Sequence, residues 1–157
     1  MSVDYQSLNS QLAALIADEK DALANSANFV GLLYAGIPDI NWLGLYVLRD
    51  QELVVGPFQG LPACVRIPLG QGVCGTAAEQ METLRVDDVH EFAGHIVCDP
   101  KSRSEIVVPL SIQGELVGVL DIDSPKPSRF SAADQLGVEL LCKTFVQSLP
   151  EGSGEFI

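Results

Sequence analysis

The segment "EIVVPLSIQGELVGVLDIDS" at residues 105–124 predicts two neighbouring β-strands joined by a tight turn at Gln113 and Gly114. Apolar residues occupy every even position from 106 to 112, and three more follow in the second run at Leu116, Leu120 and Ile122. This period of two is typical of strands that bury one face. The segment therefore favours an antiparallel hairpin that packs one face on a hydrophobic core.

The register of this hairpin decides which side chains share a face. A simple two-residue loop pairs Ile112 with Glu115 and places the two apolar sets on opposite faces. A three-residue loop, or a bulge, pairs Ile112 with the residue after Glu115 and places both apolar sets on the same face of the hairpin. We predict this odd register, which brings Glu105 opposite Asp123, with Asp121 one step along. Three carboxylates then gather at one end of the hairpin, where the alternative is that they are simply solvated.

Helices are expected on both sides of the strand-rich region. Apolar residues at helical spacing predict helices over 4–18 and 21–35, and a final helix that begins near Ser131. Four further strands are predicted at 41–48, 53–56, 63–69 and 83–86, with a glycine-rich turn into a short helix at 70–80. Helices packed on an antiparallel sheet define an α+β fold.

The composition indicates one folded domain. The chain has 157 residues, is 47% hydrophobic and has a mean hydropathy of +0.24, which suffices for a compact core. We expect a single domain over 1–150 and a loose tail over 151–157. The N-terminus does not show the basic segment followed by an apolar run that is typical of a signal peptide. No segment approaches the ~20 consecutive apolar residues of a membrane span, so a cytoplasmic protein is expected.

The charge argues against two classes of partner. The net charge is −12 and the pI is near 4.3. Nucleic-acid phosphates and anionic membrane surfaces both require lysine and arginine, so neither is an expected partner.

The chain has four cysteines: Cys64, Cys74, Cys98 and Cys142. None forms a C-x-x-C pair, which disfavours a thioredoxin-type site and a zinc ribbon. A metal site built from the first three cysteines and His95 stays open. Cys74 and Cys142 have a plain alternative as packed apolar residues.

Cys98 lies in the polar, proline-broken stretch "HIVCDPKSRSE" at 95–105, within an irregular segment at 87–104. Long irregular segments in compact domains are usually functional or disordered. A cysteine nucleophile reacts as the thiolate, which the neighbouring Asp99 disfavours. The sequence leaves open whether Cys98 is a nucleophile, a metal ligand or half of a disulfide.

Clustered carboxylates beside a cysteine suit one reaction in particular. Carboxylates raise one another's pKa, so that one can hold a proton near neutral pH. Reduction of a sulfoxide has this requirement, because a thiolate attacks sulfur while the oxygen takes a proton. The cysteine becomes a sulfenic acid, which a second cysteine converts to a disulfide. An acidic pocket would also bind a cationic amine on the substrate.

Four stretches together resemble the free methionine-(R)-sulfoxide reductases, a family built on a single GAF domain. They are "NWLGLY" (41–46), "GPFQGLPACVRIPLGQGVCG" (56–75), "HIVCDPKSRSEIVVP" (95–109) and "GVLDIDS" (118–124). They run in the family's order over residues 41 to 124. The resemblance implies reduction of free L-methionine-(R)-sulfoxide without a cofactor or a metal.

The resemblance also implies roles for three of the cysteines. Cys98 aligns with the nucleophile, and Cys64 aligns with the cysteine that resolves the sulfenic acid to a disulfide, which thioredoxin then reduces. Cys74 aligns with a further cysteine that can take part in recycling. A homodimer is expected, because GAF domains often pair through their terminal helices.

The substrate pocket implied by the resemblance combines aromatics and acids. Trp42 and Tyr46 align with aromatics around the substrate methyl group and sulfur, although aromatics on a strand are often plain core. Glu105, Asp121 and Asp123 align with carboxylates that hold the amino group, and Glu105 and Asp123 are taken as assisting proton transfer. Two other functions stay open: a non-catalytic GAF sensor for a small amino compound, and a thiol redox switch or metal sensor.

Overall fold

Helices at both ends of the chain enclose six strands, as the alternation of periods predicts. The structure, a computed structural model, describes residues 2–151 and 157. The helices are Tyr5–Ile16 (α1), Ala22–Gly36 (α2), Gly72–Gln80 (α3) and Ala132–Gln147 (α4). The strands are Trp42–Arg49 (β1), Glu52–Gln59 (β2), Arg66–Pro68 (β3), Leu84–Val86 (β4), Ser104–Ile112 (β5) and Glu115–Ser124 (β6).

All pairings in the sheet are antiparallel, in the order β3-β2-β1-β6-β5-β4. The predicted α+β fold is confirmed. Two strand bounds were wrong: β2 is longer than predicted, and β3 is shorter than 63–69, which leaves Cys64 in the loop before it. Most of the tail predicted to be loose falls outside the described residues. None of the described helices combines the length and apolar character that crossing a bilayer requires.

The two faces of the sheet carry different layers. Leu43, Leu45 and Val47 of β1 belong to a core shared with α1, α2 and α4. Trp42 and Tyr46, also on β1, point to the opposite face, into a second cluster shared with α3. This alternation places the aromatic side chains on the face of the sheet that α1, α2 and α4 do not cover, where α3 and loops lie.

The end helices are fixed by caps as well as by apolar contacts. Ser131 and Asp134 form a reciprocal capping box at the start of α4. Asp134 also accepts a hydrogen bond from the Tyr5 hydroxyl at 2.7 Å, which ties the start of α1 to α4. Burial and this bond raise the pKa of Tyr5, so the hydroxyl stays a donor.

The hairpin of β5 and β6 has the predicted register, with Glu105 opposite Asp123. The predicted loop was wrong in detail, because the turn has two residues and Ile112 does pair with Glu115. A bulge one step further in, at Val117, restores the register. As a result, Val117 enters the core below the helices and Leu116 packs on the opposite face, against the prediction for Leu116.

Candidate active site

A small recess, with a cavity volume of about 40 Å³, opens on the sheet face that carries Trp42 and Tyr46. It lies between β1, β5 and β6, the start of α3, and the loops before β3 and β5. Every predicted site residue lines it except Cys64, which is bonded to Cys98 at its rim. The lining residues are Trp42, Tyr46, Pro62, Ala63, Ile67, Gly72, Val73, Cys74, His95, Ile96, Cys98, Asp99, Ser102, Glu105, Asp121 and Asp123.

The floor of the recess is a cluster of carboxyl groups in a low-dielectric setting. Glu105 and Asp121 are each only 6% exposed, and Asp123 lies opposite Glu105 in the sheet. Burial raises the pKa of all three, and the charge of Asp121 adds to the rise at Glu105 and Asp123. The cluster therefore retains protons to higher pH than isolated carboxyl groups do.

Asp121 also has an unused acceptor. Its Oδ1 atom is buried and has no hydrogen-bond partner among the described residues. A buried polar atom without a partner is costly, and such atoms are commonly met by a ligand or water. The arrangement therefore suits a ligand that carries hydrogen-bond donors.

Two of the four cysteines are joined across the mouth of the recess. Cys64 and Cys98 form a disulfide between loops that are 34 residues apart in sequence, with their Cα atoms 5.4 Å apart. Both cysteines are half-buried, and Cys98 lines the recess whereas Cys64 does not. Cys98 is therefore the member of the pair that shares the recess with the carboxyl cluster.

The loop that carries Cys98 is held onto the start of β1 by a side chain that the sequence reasoning missed. The Asn41 amide donates to Asp99 Oδ2 at 2.9 Å and to Ser102 Oγ at 3.1 Å. Asp99 Oδ1 accepts from the backbone N–H of Lys101 at 2.9 Å. Asp99 is therefore an anchor of the loop. The Asp-Pro-Lys sequence is typical of a turn, so it could have predicted the bond between Asp99 and the backbone of Lys101. Nothing in that sequence predicts the bonds from Asn41.

The loop that carries Cys64 is held by the two aromatic residues of the recess. Trp42 Nε1 donates to the carbonyl of Leu61 at 3.0 Å, and the Tyr46 hydroxyl donates to the carbonyl of Cys64 at 3.0 Å. The Trp42 ring is also stacked on Phe58, with centroids 5.4 Å apart. Burial and the nearby acids raise the pKa of Tyr46, which keeps its hydroxyl protonated. These aromatics both line the recess and position the cysteine loop.

The remaining candidates divide between the recess and the core. Cys74 is buried in the first turn of α3, with its Sγ 3.9 Å from Glu105 Oε1. Burial and the three carboxyl groups raise its pKa, so it is a thiol. His95 lines the recess, and burial lowers its pKa. Cys142 lies in the core on the other side of the sheet, as its apolar neighbours predicted.

Among the residues that the structure describes, one group of side chains has the spacing to hold a metal ion. Ligand atoms of Cys74, Glu105 and Asp121 lie within 4.8 Å of one another. The set considered from the sequence differs, because Cys64 and Cys98 are bonded to each other and offer no thiolate in this state.

Comparison with known proteins places this architecture in a family. A GAF domain model matches residues 7–149. The free methionine-R-sulfoxide reductase of Escherichia coli is 52% identical over 137 residues, covering 87% of this chain and 83% of that protein. Protein YtsP of Bacillus subtilis is 49% identical over 150 residues, covering 94% of this chain and 92% of that protein.

A solved structure supports the same placement. The fRMsr of Staphylococcus aureus, solved in complex with its substrate, superposes with a TM-score of 0.91 at 45% identity, covering 96% of this chain and 98% of that one. The chain belongs to the GAF domain family and, within it, to the free methionine-R-sulfoxide reductases, which are oxidoreductases.

Proposed function

We propose that the protein reduces free methionine-R-sulfoxide to methionine by attack of Cys98 and resolution by Cys64. The observation that carries this proposal is the Cys64–Cys98 disulfide at the rim of a recess floored by three carboxyl groups. The relatives named as reductases supply the substrate and its configuration at sulfur.

The first chemical step transfers oxygen from the substrate to the enzyme. The Cys98 thiolate attacks the sulfoxide sulfur while a carboxyl group protonates the sulfoxide oxygen. Methionine leaves and Cys98 becomes a sulfenic acid. Glu105 and Asp123 suit the acid role, because the pKa of each is raised and each lines the recess.

The second step forms the disulfide and releases water. The Cys64 thiol displaces the hydroxyl of the Cys98 sulfenic acid, which leaves as water, and the new disulfide is the form of the enzyme that has given two electrons to the sulfoxide. Thioredoxin then supplies two thiols, which reduce the disulfide and become oxidised in turn. Cys74 lines the same recess as Cys98, which supports a role for it as a further thiol in recycling.

Burial of the carboxyl groups also makes the thiolate form of Cys98 less unfavourable. Carboxyl groups that hold protons carry less negative charge towards the sulfur, so they raise the pKa of the thiol less. The charge of Asp99 is engaged by Asn41 and by the backbone of Lys101. Proximity to acids is therefore compatible with a reactive Cys98.

Recognition of the free amino acid follows from the same floor. An ammonium group has three donors, and Asp121 Oδ1 is a buried acceptor without a partner among the described residues. Trp42 and Tyr46 supply an apolar wall for the methyl group and the sulfur. A peptide-bound methionine sulfoxide lacks the ammonium group, so it should be a poor substrate.

The test is turnover of resolved R and S free methionine sulfoxide, and of N-acetyl methionine-R-sulfoxide, with thioredoxin as reductant. Wild-type protein should reduce the free R form. Cys98→Ser should lose activity, and a protein with both Cys64→Ser and Cys74→Ser should release about one methionine per protein molecule before stalling. Cys142→Ser, a core cysteine on the other side of the sheet, is the matched control and should turn over normally.

Normal turnover by Cys98→Ser would overturn the mechanism. Tight binding of the sulfoxide without turnover by the wild type would instead indicate a sensor. We also expect a homodimer, which sedimentation of the purified protein would detect.

A further inference from the structure

The floor of the recess contains a set of ligand atoms that the proposed reaction does not use as a set. Cys74 Sγ, a carboxylate oxygen of Glu105 and one of Asp121 lie within 4.8 Å of one another. Cys74 Sγ is 3.9 Å from Glu105 Oε1. A zinc–thiolate bond of about 2.3 Å and a zinc–carboxylate bond of about 2.1 Å together span that distance. A single Zn²⁺ ion can therefore contact all three groups after small rotations of their side chains.

Each of the three side chains is carried by a regular element of the fold. Cys74 lies in the first turn of α3, and Glu105 and Asp121 lie on the paired strands β5 and β6. Their exposed fractions are only 4%, 6% and 6%, so their surroundings restrict them. Groups on helices and strands are placed more precisely than groups on loops. The ligand set is therefore largely formed before an ion arrives, and binding costs little conformational freedom.

The acidic floor has no cationic side chain of the protein beside it. Among the described residues that line the recess there is no lysine or arginine, and burial lowers the pKa of His95. Asp121 Oδ1 is buried and finds no hydrogen-bond partner within the described part of the chain. Buried charges in proteins are normally paired or bound to a metal ion. The free acceptor therefore suits a cation, and the neighbouring thiol of Cys74 favours a metal that binds sulfur.

We propose that Cys74, Glu105 and Asp121 form a binding site for Zn²⁺, and that the ion competes with the ammonium group of the substrate for Asp121. The competition rests on the proposed function, whereas the ion site does not. Three protein ligands leave the fourth position of a tetrahedral zinc ion open. The cavity of about 40 Å³ exceeds the ~10–15 Å³ that one water needs, so a water can fill that position.

Binding exchanges protons for the ion, with no change of oxidation state. Zn²⁺ binds Cys74 as the thiolate, so the thiol proton passes to solvent, as do any protons that the two carboxyl groups hold. The bound ion then occupies the acceptors that would hold the substrate and makes the thiol of Cys74 unavailable. Zinc at this site therefore inhibits the enzyme reversibly, and a chelator restores it.

The experiment uses the oxidised protein, in which Cys64 and Cys98 are bonded to each other and offer no thiolate. The two free thiols are then Cys74 and Cys142, which lie on opposite sides of the sheet. Co²⁺ serves as the probe, because a thiolate–cobalt bond gives a charge-transfer absorption band in the near ultraviolet. We expect this band to saturate at one Co²⁺ per chain. Zn²⁺ should abolish the band, whereas Mg²⁺, which avoids sulfur, should not.

The variants assign the band to the site. Cys74→Ser should lose it, and Asp121→Asn should weaken Co²⁺ binding by about 100-fold, since partners outside a ligand set alone change metal affinity by ~10–100-fold. The matched control Cys142→Ser should bind Co²⁺ as the wild type does. Asp121→Asn retains every thiol, so it tests the site independently if Cys74→Ser fails to fold.

Three results would overturn the site: no band with the wild type, a band that persists in Cys74→Ser, or unchanged Co²⁺ affinity in Asp121→Asn. The competition is measured in the same oxidised protein, which cannot reduce a sulfoxide. Free L-methionine-R-sulfoxide should lower the apparent Co²⁺ affinity more than its mirror image, D-methionine-S-sulfoxide, which binds Co²⁺ equally in solution. Equal effects of the two would overturn the competition. Absence of reductase activity in a separate assay would refute the proposed function and leave the metal site standing.

Discussion

At the scale of single residues, the buried carboxyl groups at the floor of the recess make the stability of the folded protein depend on pH. Glu105 is buried beside Asp121 and Asp123, and its pKa is raised well above the ordinary value. In the unfolded chain the same group ionises near pH 4.3. The folded state therefore holds a proton that the unfolded state releases, and unfolding becomes easier as the pH rises through this interval.

We expect Glu105→Gln to stabilise the protein at high pH. The free energy of unfolding of the wild type should fall between pH 5 and pH 8, by about 1.4 kcal/mol per pH unit for each proton held only by the folded state. Glutamine removes one such proton, so the fall should be smaller. Urea unfolding at the two pH values measures it, with the exposed Glu115→Gln as control.

The same variant should be a poor reductase, because glutamine can neither ionise to hold an ammonium group nor donate a carboxyl proton. We expect kcat/KM to fall by about 100-fold or more. An unaltered pH dependence of stability in Glu105→Gln would show that this carboxyl group ionises normally in the folded protein.

At the scale of elements, the turn between β5 and β6 uses an unfavourable residue. Gln113 has φ of 52° and is followed by Gly114 at 81°, so both central residues are left-handed. Two-residue hairpins of this kind favour Asn-Gly, since asparagine tolerates a positive φ better than glutamine does.

Gln113→Asn should therefore raise the free energy of unfolding by roughly 0.5 kcal/mol without changing activity, because the turn lies at the other end of the hairpin from Glu105. Thermal or urea unfolding checks the gain. Gln113→Val at the same site should lower stability, since a β-branched residue is strained at positive φ. Equal stability of the two variants would contradict this reading of the turn.

The hairpin also shows how far the sequence determined the fold. The opposition of Glu105 and Asp123 was predictable, because two apolar faces had to coincide and few registers achieve that. The place of the extra residue was not, since a longer loop and a bulge at Val117 satisfy the same pattern. Leu116 was assigned to the wrong face for this reason.

The contacts of the site were harder to predict than its residues. Asn41 reaches Asp99 and Ser102 from about 60 residues away in sequence, and no local pattern encodes such a bond. Trp42 and Tyr46 were identified as pocket aromatics, but their hydrogen bonds to backbone carbonyls depend on where a glycine- and proline-rich loop settles. Such contacts arise from tertiary packing alone.

At the scale of the whole molecule, the disulfide closes a segment that contains α3, β3 and β4. A crosslink over 34 residues restricts the unfolded chain, and the chain-entropy estimate is about 4 kcal/mol. The oxidised protein should therefore be more stable in urea than the reduced protein, by an amount up to this value.

Unfolding with and without dithiothreitol measures the difference. A protein with both Cys64→Ser and Cys98→Ser is the control, and its unfolding curve should be the same with and without dithiothreitol. Identical curves for oxidised and reduced wild type would mean that the unfolded ensemble is already confined without the bond.

The hydrogen bonds from β1 define what a transplant of this redox pair would require. Asn41, immediately before β1, is hydrogen-bonded to one cysteine loop, and Trp42 and Tyr46 of β1 are hydrogen-bonded to the other, so neighbouring residues hold both loops at bonding distance. Two cysteines placed at matching positions of a GAF domain without redox activity would lack these hydrogen bonds to the two loops. Protein engineers should move Asn41, Trp42 and Tyr46 together with the two thiols, and genome surveys can use the same five positions to separate redox-active GAF domains from those without redox activity.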